Sequence, residues 1–97
     1  MIKEAYCSFE VAKLLKEKGF TEECEYFLPT YQMAMAWLRT KHIIIVVQPE
    51  YFNADGICSY WGVDIWADDN YEKLQGDFPT YEQAVETALK YSLENLI

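Results

Sequence analysis

A five-residue pattern that occurs three times constrains the fold of this chain more than any other feature. Residues 8–12 read SFEVA, residues 30–34 read TYQMA and residues 80–84 read TYEQA, so a hydroxyl residue and an aromatic residue precede an alanine each time. A Ser or Thr oxygen just before a helix accepts hydrogen bonds from the unpaired N–H groups of the first turn. The aromatic residue and the alanine lie close to one helix face. The pattern therefore predicts three capped helices whose first turns face one core.

The residues after each copy continue with helical periodicity. The first helix is predicted over residues 8–18, and Gly19 follows it as a left-handed terminator. The second is predicted over residues 30–41, and its residues 33–38 include no charged or polar side chain. A helix that is apolar nearly all round is covered on more than one side, so we expect this helix to be central and Trp37 to be largely buried. The third helix, from Thr80, has one apolar stripe: Tyr81, Ala84, Val85, Ala88, Leu89, Leu93 and Leu96.

Two strands are predicted between the second and third helices. Residues 43–47 read IIIVV, which is β-branched and apolar on both faces and so indicates an inner strand. A turn at residues 53–56 leads to a second strand over residues 57–67. Its alternation assigns Ile57, Trp61, Val63 and Ile65 to one face and Cys58, Tyr60, Asp64 and Trp66 to the other. Residues 68–77 read as a polar loop that can include a short edge strand at residues 71–74. Residues 21–28 are ambiguous and can end in a short strand.

This order of elements predicts a single α+β domain over residues 1–97. Its architecture would be an antiparallel β-hairpin or three-stranded sheet packed with three capped α-helices. A chain of 97 residues has room for one modest core.

The charge of the chain is negative and unevenly distributed. The formal net charge is -8; through Glu50 six basic residues face seven acidic ones, and from Tyr51 onward two basic residues face nine acidic ones. Nucleic acids and anionic membranes bind clustered Lys and Arg, so neither is expected as a direct partner. The acidic half could face a basic partner, could mimic nucleic acid, or could be a solvated surface that keeps the protein soluble.

The cysteines and the hydropathy bear on the compartment. Cys7, Cys24 and Cys58 are an odd number without a CxxC pair, and the longest apolar run, residues 43–47, is far shorter than the ~20 residues that span a bilayer. We therefore expect reduced thiols, no membrane segment and a cytoplasmic location.

Several segments resemble small proteins encoded by phages and prophages of gut bacteria. The segments that carry the resemblance are residues 8–20, residues 29–34, residues 37–42 and residues 81–97. They cover both ends and the second helix, and residues 51–77 lie mainly outside them. The resemblance implies a phage or prophage context in a bacterial host, and it implies no catalytic residues.

The patterns for catalysis and for metal binding are weak. A nucleophilic Cys–His pair would have to place Cys7, Cys24 or Cys58 beside His42, and no family signature surrounds any of them. A cation could be held by Asp64, Asp68, Asp69 and Asn70, but their spacing matches no calcium loop. The sequence therefore predicts no catalytic residue, no cofactor and no metal site.

The predicted hairpin offers a better candidate for a functional surface. Ile44, Val46, Tyr60 and Trp66 cannot all share a face with the residues that pack under the helices. If all three helices cover one face, these four side chains form an exposed interface; if the second helix covers the other face, they are core.

The favoured function is a non-enzymatic interaction module that binds a protein partner or forms a homodimer. The alternative is a small-molecule binding domain or minor enzyme with a cleft between the hairpin and the polar loop over residues 68–77. Mimicry of nucleic acid is a weaker alternative.

Overall fold

The computed structural model describes residues 5–21 and 28–97. In chain order the elements are α1 (Phe9–Glu17), α2 (Tyr31–Thr40), β1 (Ile43–Phe52), β2 (Cys58–Ala67), β3 (Asn70–Phe78) and α3 (Tyr81–Asn95). The three strands form one antiparallel sheet in the order β1-β2-β3, so the α+β prediction with a three-stranded sheet and three helices is confirmed. Cys24 lies outside the described residues. Most of the ambiguous segment over residues 21–28, which could end in a short strand, also lies outside them.

All three predicted N-caps are present. The side-chain oxygens of Ser8, Thr30 and Thr80 each accept from the backbone N–H three residues further on, at 3.2, 3.1 and 3.1 Å. Each cap residue has extended backbone angles, as an N-cap requires. At the other end of α1, Gly19 has a φ of 107° and Phe20 turns back to donate its N–H to the Leu15 carbonyl at 2.9 Å. The local signals in the repeated pattern therefore set the helix ends.

The aromatic position of the pattern does not face the core in all three helices. Tyr31 is buried at 7% exposure, but Phe9 is 81% exposed, so the prediction for the first copy is wrong. α1 packs through Val11 and Leu15. Phe9 precedes Val11 by two residues, which is about 200° of rotation around a helix, so its ring lies on the opposite side.

Among the described strands, the strand predicted to be inner lies at the edge of the sheet. β1 pairs with β2 alone among the described strands, and β2 occupies the centre. The β-branched run is apolar on both faces for another reason: Ile43 is buried under the helices, whereas Ile44 is exposed on the other face. The composition of β1 therefore did not reveal the position of this strand in the sheet.

The predicted polar loop over residues 68–77, which could include a short edge strand at residues 71–74, is mostly strand β3. Cα pairing runs from Ala67–Asn70 at the turn to Trp61–Phe78 at the far end, with one irregularity on the way. Polar side chains concealed this strand, because those on its uncovered face, such as Lys73, remain in contact with water.

The central helix is α3 rather than α2. α3 contacts all three strands and both other helices, and its side chains Ala84, Val85, Leu89 and Leu93 are fully buried. α2 packs mainly on β1 and buries one side only, so the prediction that it is covered on several sides is wrong for the described structure. Trp37 is only partly exposed, and its ring meets that of Phe20 edge-on, with centroids 5.9 Å apart.

Candidate interaction surface on the open sheet face

The helices lie on one face of the sheet, and the other face is uncovered within the described residues. We call this other face the open face. Its side chains come from alternate positions of the three strands: Ile44, Val46, Gln48, Glu50, Tyr60, Asp64, Trp66, Tyr71 and Lys73. The sequence left open whether this face is exposed, and the contacts of α2 and α3 answer the question because both pack on the opposite side.

The four residues predicted as an interface all lie on the open face, but they form two groups. Ile44 and Trp66 are direct cross-strand partners, and they and Val46 are exposed by 48%, 46% and 38%. Tyr60 is less exposed and lies toward the other end of β2, where its ring stacks on that of Tyr51 with centroids 5.7 Å apart. The predicted interface is therefore not one continuous apolar patch.

Tyr71 extends the group around Trp66, and the sequence analysis missed it. The two residues are cross-strand partners, and their ring centroids are 4.6 Å apart. The sequence analysis allowed a short edge strand at residues 71–74 but did not pair it with β2, so it did not place this ring on the same face as Trp66. We call Ile44, Val46, Trp66 and Tyr71 the aromatic end of the open face.

A polar network separates the aromatic end from the Tyr51–Tyr60 stack. Asp64 accepts hydrogen bonds from the Gln48 amide at 3.0 Å and the Tyr71 hydroxyl at 2.7 Å, and the Lys73 ammonium lies 3.8 Å from it. Lys73 also donates to Glu50 at 2.6 Å. The hydrogen bond to Asp64 raises the pKa of Tyr71, and that to Glu50 raises the pKa of Lys73, because each bond favours the protonated form of its donor.

These groups are arranged for mutual pairing rather than for catalysis. The carboxylates are occupied by donors from neighbouring strands, and the network has no nucleophile that is held by a base. Gly62 lies beneath Glu50, and a Cβ there would collide with the Glu50 side chain in its present position, so the glycine provides room for this side chain. The network joins all three strands across the middle of the open face.

Neither of the two described cysteines lies beside His42, the base considered for a Cys–His pair. Cys7 is buried beside the Thr30 carbonyl, and Cys58 lies at the opposite end of the β1–β2 hairpin from His42, roughly 30 Å away along the strands. His42 is exposed directly after α2, where it has a φ of 65°. Cys24 lies outside the described residues.

The four residues considered for a cation are also dispersed. Asp64 belongs to the polar network, whereas Asp68 and Asp69 are exposed at the turn beyond the end of β2. Among residues 5–21 and 28–97, no group of three or more His, Cys, Asp or Glu side chains is placed to hold a metal ion.

The cleft predicted beside a polar loop does not have the expected walls, because most of that loop is β3. A shallow depression of about 530 Å³ instead lies where the end of α2 meets the aromatic end of the open face. It is lined by Arg39, His42, Ile44, Trp66, Asp68 and Asp69. It is open to solvent and mixes basic, acidic and apolar groups.

Comparison of the chain with protein-family models, curated proteins and solved structures finds no match. In the part of the chain that the structure describes, no helix has the length and apolar character needed to cross a membrane.

Proposed function

We propose that this protein is a small, non-enzymatic interaction module, encoded by a phage or prophage, that acts in the bacterial cytoplasm. Its open face would bind a partner protein. One observation carries the proposal: Ile44, Val46 and Trp66 are side by side and exposed on a sheet face that the helices leave uncovered. Exposed apolar groups that cluster in this way are typical of interaction sites, whereas single exposed apolar residues are not.

The size of the open face suits a protein contact. Three strands spaced ~4.8 Å apart and about ten residues long span roughly 400–500 Å². The aromatic end supplies the apolar part of this area, and the polar network supplies much of the rest. Trp66 and Tyr71 already touch each other, so little side-chain freedom would be lost when a partner covers them.

The polar network allows the middle of the face to be covered as well. A charge that is buried without a partner is costly, but Asp64, Lys73 and Glu50 already neutralise one another in part. A partner surface can therefore pack against this region without supplying a separate counter-charge for each group.

The charges around the open face favour a basic partner. Asp68 and Asp69 are exposed beside the aromatic end, and Asp77 is exposed near Lys73 at the other end. A partner with Lys or Arg around an apolar centre would be attracted to this rim, and such attraction increases the rate of association.

A matched pair of substitutions tests the open face. Trp66→Glu places a charge within the aromatic end, and Phe9→Glu makes the same kind of change at an exposed ring on α1. Each purified protein would be immobilised and exposed to lysate of a gut bacterium, and the captured proteins would be quantified by mass spectrometry. We expect a protein that is captured by the wild type and by Phe9→Glu to be lost with Trp66→Glu, and its capture to weaken as salt is raised.

Equal capture of that protein by the wild type, by Trp66→Glu and by Phe9→Glu would contradict the proposal. A thermal-shift screen with metals, nucleotides and metabolites tests the alternative function. A large, reproducible shift would favour a small-molecule binding domain.

A further inference from the structure

The tip of the β1–β2 hairpin carries apolar side chains that are exposed to solvent. Every residue over 49–57 is exposed, and the pairing of β2 with β3 ends at Trp61 and Phe78. The four residues from Trp61 back to Ile57 correspond to roughly 13 Å of extended chain. We call residues 51–57 the hairpin tip, and it projects beyond the last pair of β2 and β3.

Three large apolar residues lie in this short segment. Tyr51 and Phe52 are each 54% exposed, and Ile57 is 62% exposed. Turns are normally formed by small and polar residues, and they lie at the surface in contact with water. Exposed apolar residues that cluster, unlike single ones, are typical of contact sites. The hairpin tip is therefore a second candidate contact site, at the end of the sheet away from Trp66.

The turn holds these side chains in one arrangement. The Asn53 side-chain oxygen accepts from the N–H groups of Asp55 and Ile57, at 2.9 and 3.1 Å. The Asn53 N–H donates to the Ile57 carbonyl at 2.9 Å, and Gly56 has a φ of 77°, which glycine adopts readily. A segment that is already ordered in this way loses little conformational freedom when a partner binds it.

We propose that the hairpin tip inserts into an apolar cleft of the same partner protein that covers the open face, and that a basic group of this cleft pairs with Asp55. This inference rests on the proposed function, because it names a second part of the partner's contact. The two surfaces are continuous: the ring of Tyr51 in the tip stacks on that of Tyr60, which lies on the open face.

Area favours one partner that covers both surfaces. Half of a large side chain corresponds to ~100 Å², so the three exposed side chains of the tip offer roughly 300 Å². Together with the roughly 400–500 Å² of the open face, this approaches the ~800 Å² that each protein contributes to a standard interface. Two tips that met in a pair of copies would bury only ~600 Å² in total, below the ~1,000 Å² expected of a specific contact.

Charge favours a basic protein cleft over a membrane or a second copy. Residues 43–72 contain no Lys or Arg, and Asp55 is exposed at the tip with no ion pair to any described residue. A membrane would receive the Asp55 carboxylate together with the apolar side chains, which is costly in hydrocarbon. A second copy has the same net charge of -8 and would be repelled. A basic group in a partner's cleft neutralises the carboxylate instead.

A matched pair of substitutions tests the tip. Phe52→Ser removes an exposed ring from the tip, Phe9→Ser makes the same change on α1, and circular dichroism checks that both variants are folded. The protein that the wild type captures from lysate of a gut bacterium would be purified, and its dissociation constant with each variant would be measured by calorimetry. We expect this constant to rise by about tenfold or more for Phe52→Ser and for Asp55→Lys, and to change by less than about twofold for Phe9→Ser.

Photocrosslinking tests the insertion directly. With benzoylphenylalanine in place of Phe52, illumination of the complex should join position 52 to apolar residues of the partner, which mass spectrometry identifies; the same group in place of Phe9 should give no such product. The inference is overturned if the wild type captures no such protein, if Phe52→Ser binds it as the wild type does, or if position 52 crosslinks to a second copy of this chain. Binding of the wild type to phosphatidylcholine vesicles that is lost with Phe52→Ser would also overturn it, in favour of a membrane contact.

The inference and the proposed function fail in different ways. If Trp66→Glu weakens binding of the captured protein and Phe52→Ser does not, the open face is the contact and the inference about the tip is wrong. If Phe52→Ser weakens binding and Trp66→Glu does not, the proposed function is wrong, and so is the claim that one partner covers both surfaces.

Discussion

Glu86 on α3 connects all three helices, and its removal is the sharpest test of how they are held together. One carboxylate oxygen accepts from the Ser8 N–H at 2.7 Å and the other from the Ser8 hydroxyl at 2.8 Å, at the start of α1. Burial, and after it the nearby Glu86 carboxylate, raises the pKa of Tyr31, the first residue of α2. We therefore expect Glu86→Ala to weaken the packing of both other helices on α3.

The magnitude follows from the exposure of each contact. Hydrogen bonds to a charged acceptor contribute ~1.5–3 kcal/mol when they are shielded, but Ser8 is exposed, so its contribution lies near or below the lower end. Glu86 also lies near enough to the Tyr31 hydroxyl to raise its pKa, so its removal reaches α2 as well as α1. We expect Glu86→Ala to lower the free energy of unfolding by about 1–3 kcal/mol, and Glu86→Gln, which keeps an acceptor, by ~1 kcal/mol.

Urea unfolding followed by circular dichroism gives the free energies. Glu94→Ala is the matched control, because Glu94 is exposed on the same helix and its loss should change stability by no more than ~0.5 kcal/mol. Ser8→Ala, made alone and together with Glu86→Ala, measures the coupling between the two residues. A Glu86→Ala protein as stable as Glu94→Ala, or additive effects of Ser8→Ala and Glu86→Ala, would refute the connecting role of Glu86.

Three further predictions follow from the helices. Thr80→Ala should lower the free energy of unfolding by ~1 kcal/mol, because it leaves an N–H of the first turn of α3 without its cap; an unchanged urea midpoint would contradict this. Ser92→Ala should be neutral or should raise it by up to about 1 kcal/mol, since the Ser92 hydroxyl is buried and has no hydrogen-bond partner within the described residues; a clear loss of stability would show that the hydroxyl is satisfied. Burial and the Glu86 carboxylate raise the pKa of Tyr31 above the usual 10.0 of the unfolded chain. The stability that comes from keeping the Tyr31 hydroxyl protonated is therefore fully present below pH 10 and is lost as pH rises through the folded-state pKa. In tyrosinate absorbance, one of the late-titrating tyrosines of the wild type should titrate earlier in Glu86→Gln.

The open face was only partly predictable from sequence. The alternation in residues 57–67 correctly placed Tyr60, Asp64 and Trp66 on one face. It could not indicate that the polar network would divide this face, because Gln48, Lys73 and Asp64 come from three strands whose register depends on the turns and irregularities between them. Tyr71 was missed for the same reason, since its place beside Trp66 follows only from the register of β3 on β2.

The sequence by itself determined the local features of this protein: the three N-caps, the Gly19 helix end, the turn before β2 and the apolar stripe of α3. Each of these depends on residues within about one turn of helix or one hairpin, so no distant contact is needed to specify it. Only the tertiary structure decided that β1 is an edge strand among the described strands, that α3 rather than α2 is central, and that Phe9 faces solvent. An apolar side chain contributes the same pattern to the sequence whether a helix covers it or it remains exposed, because burial is set by the neighbours that the whole fold supplies.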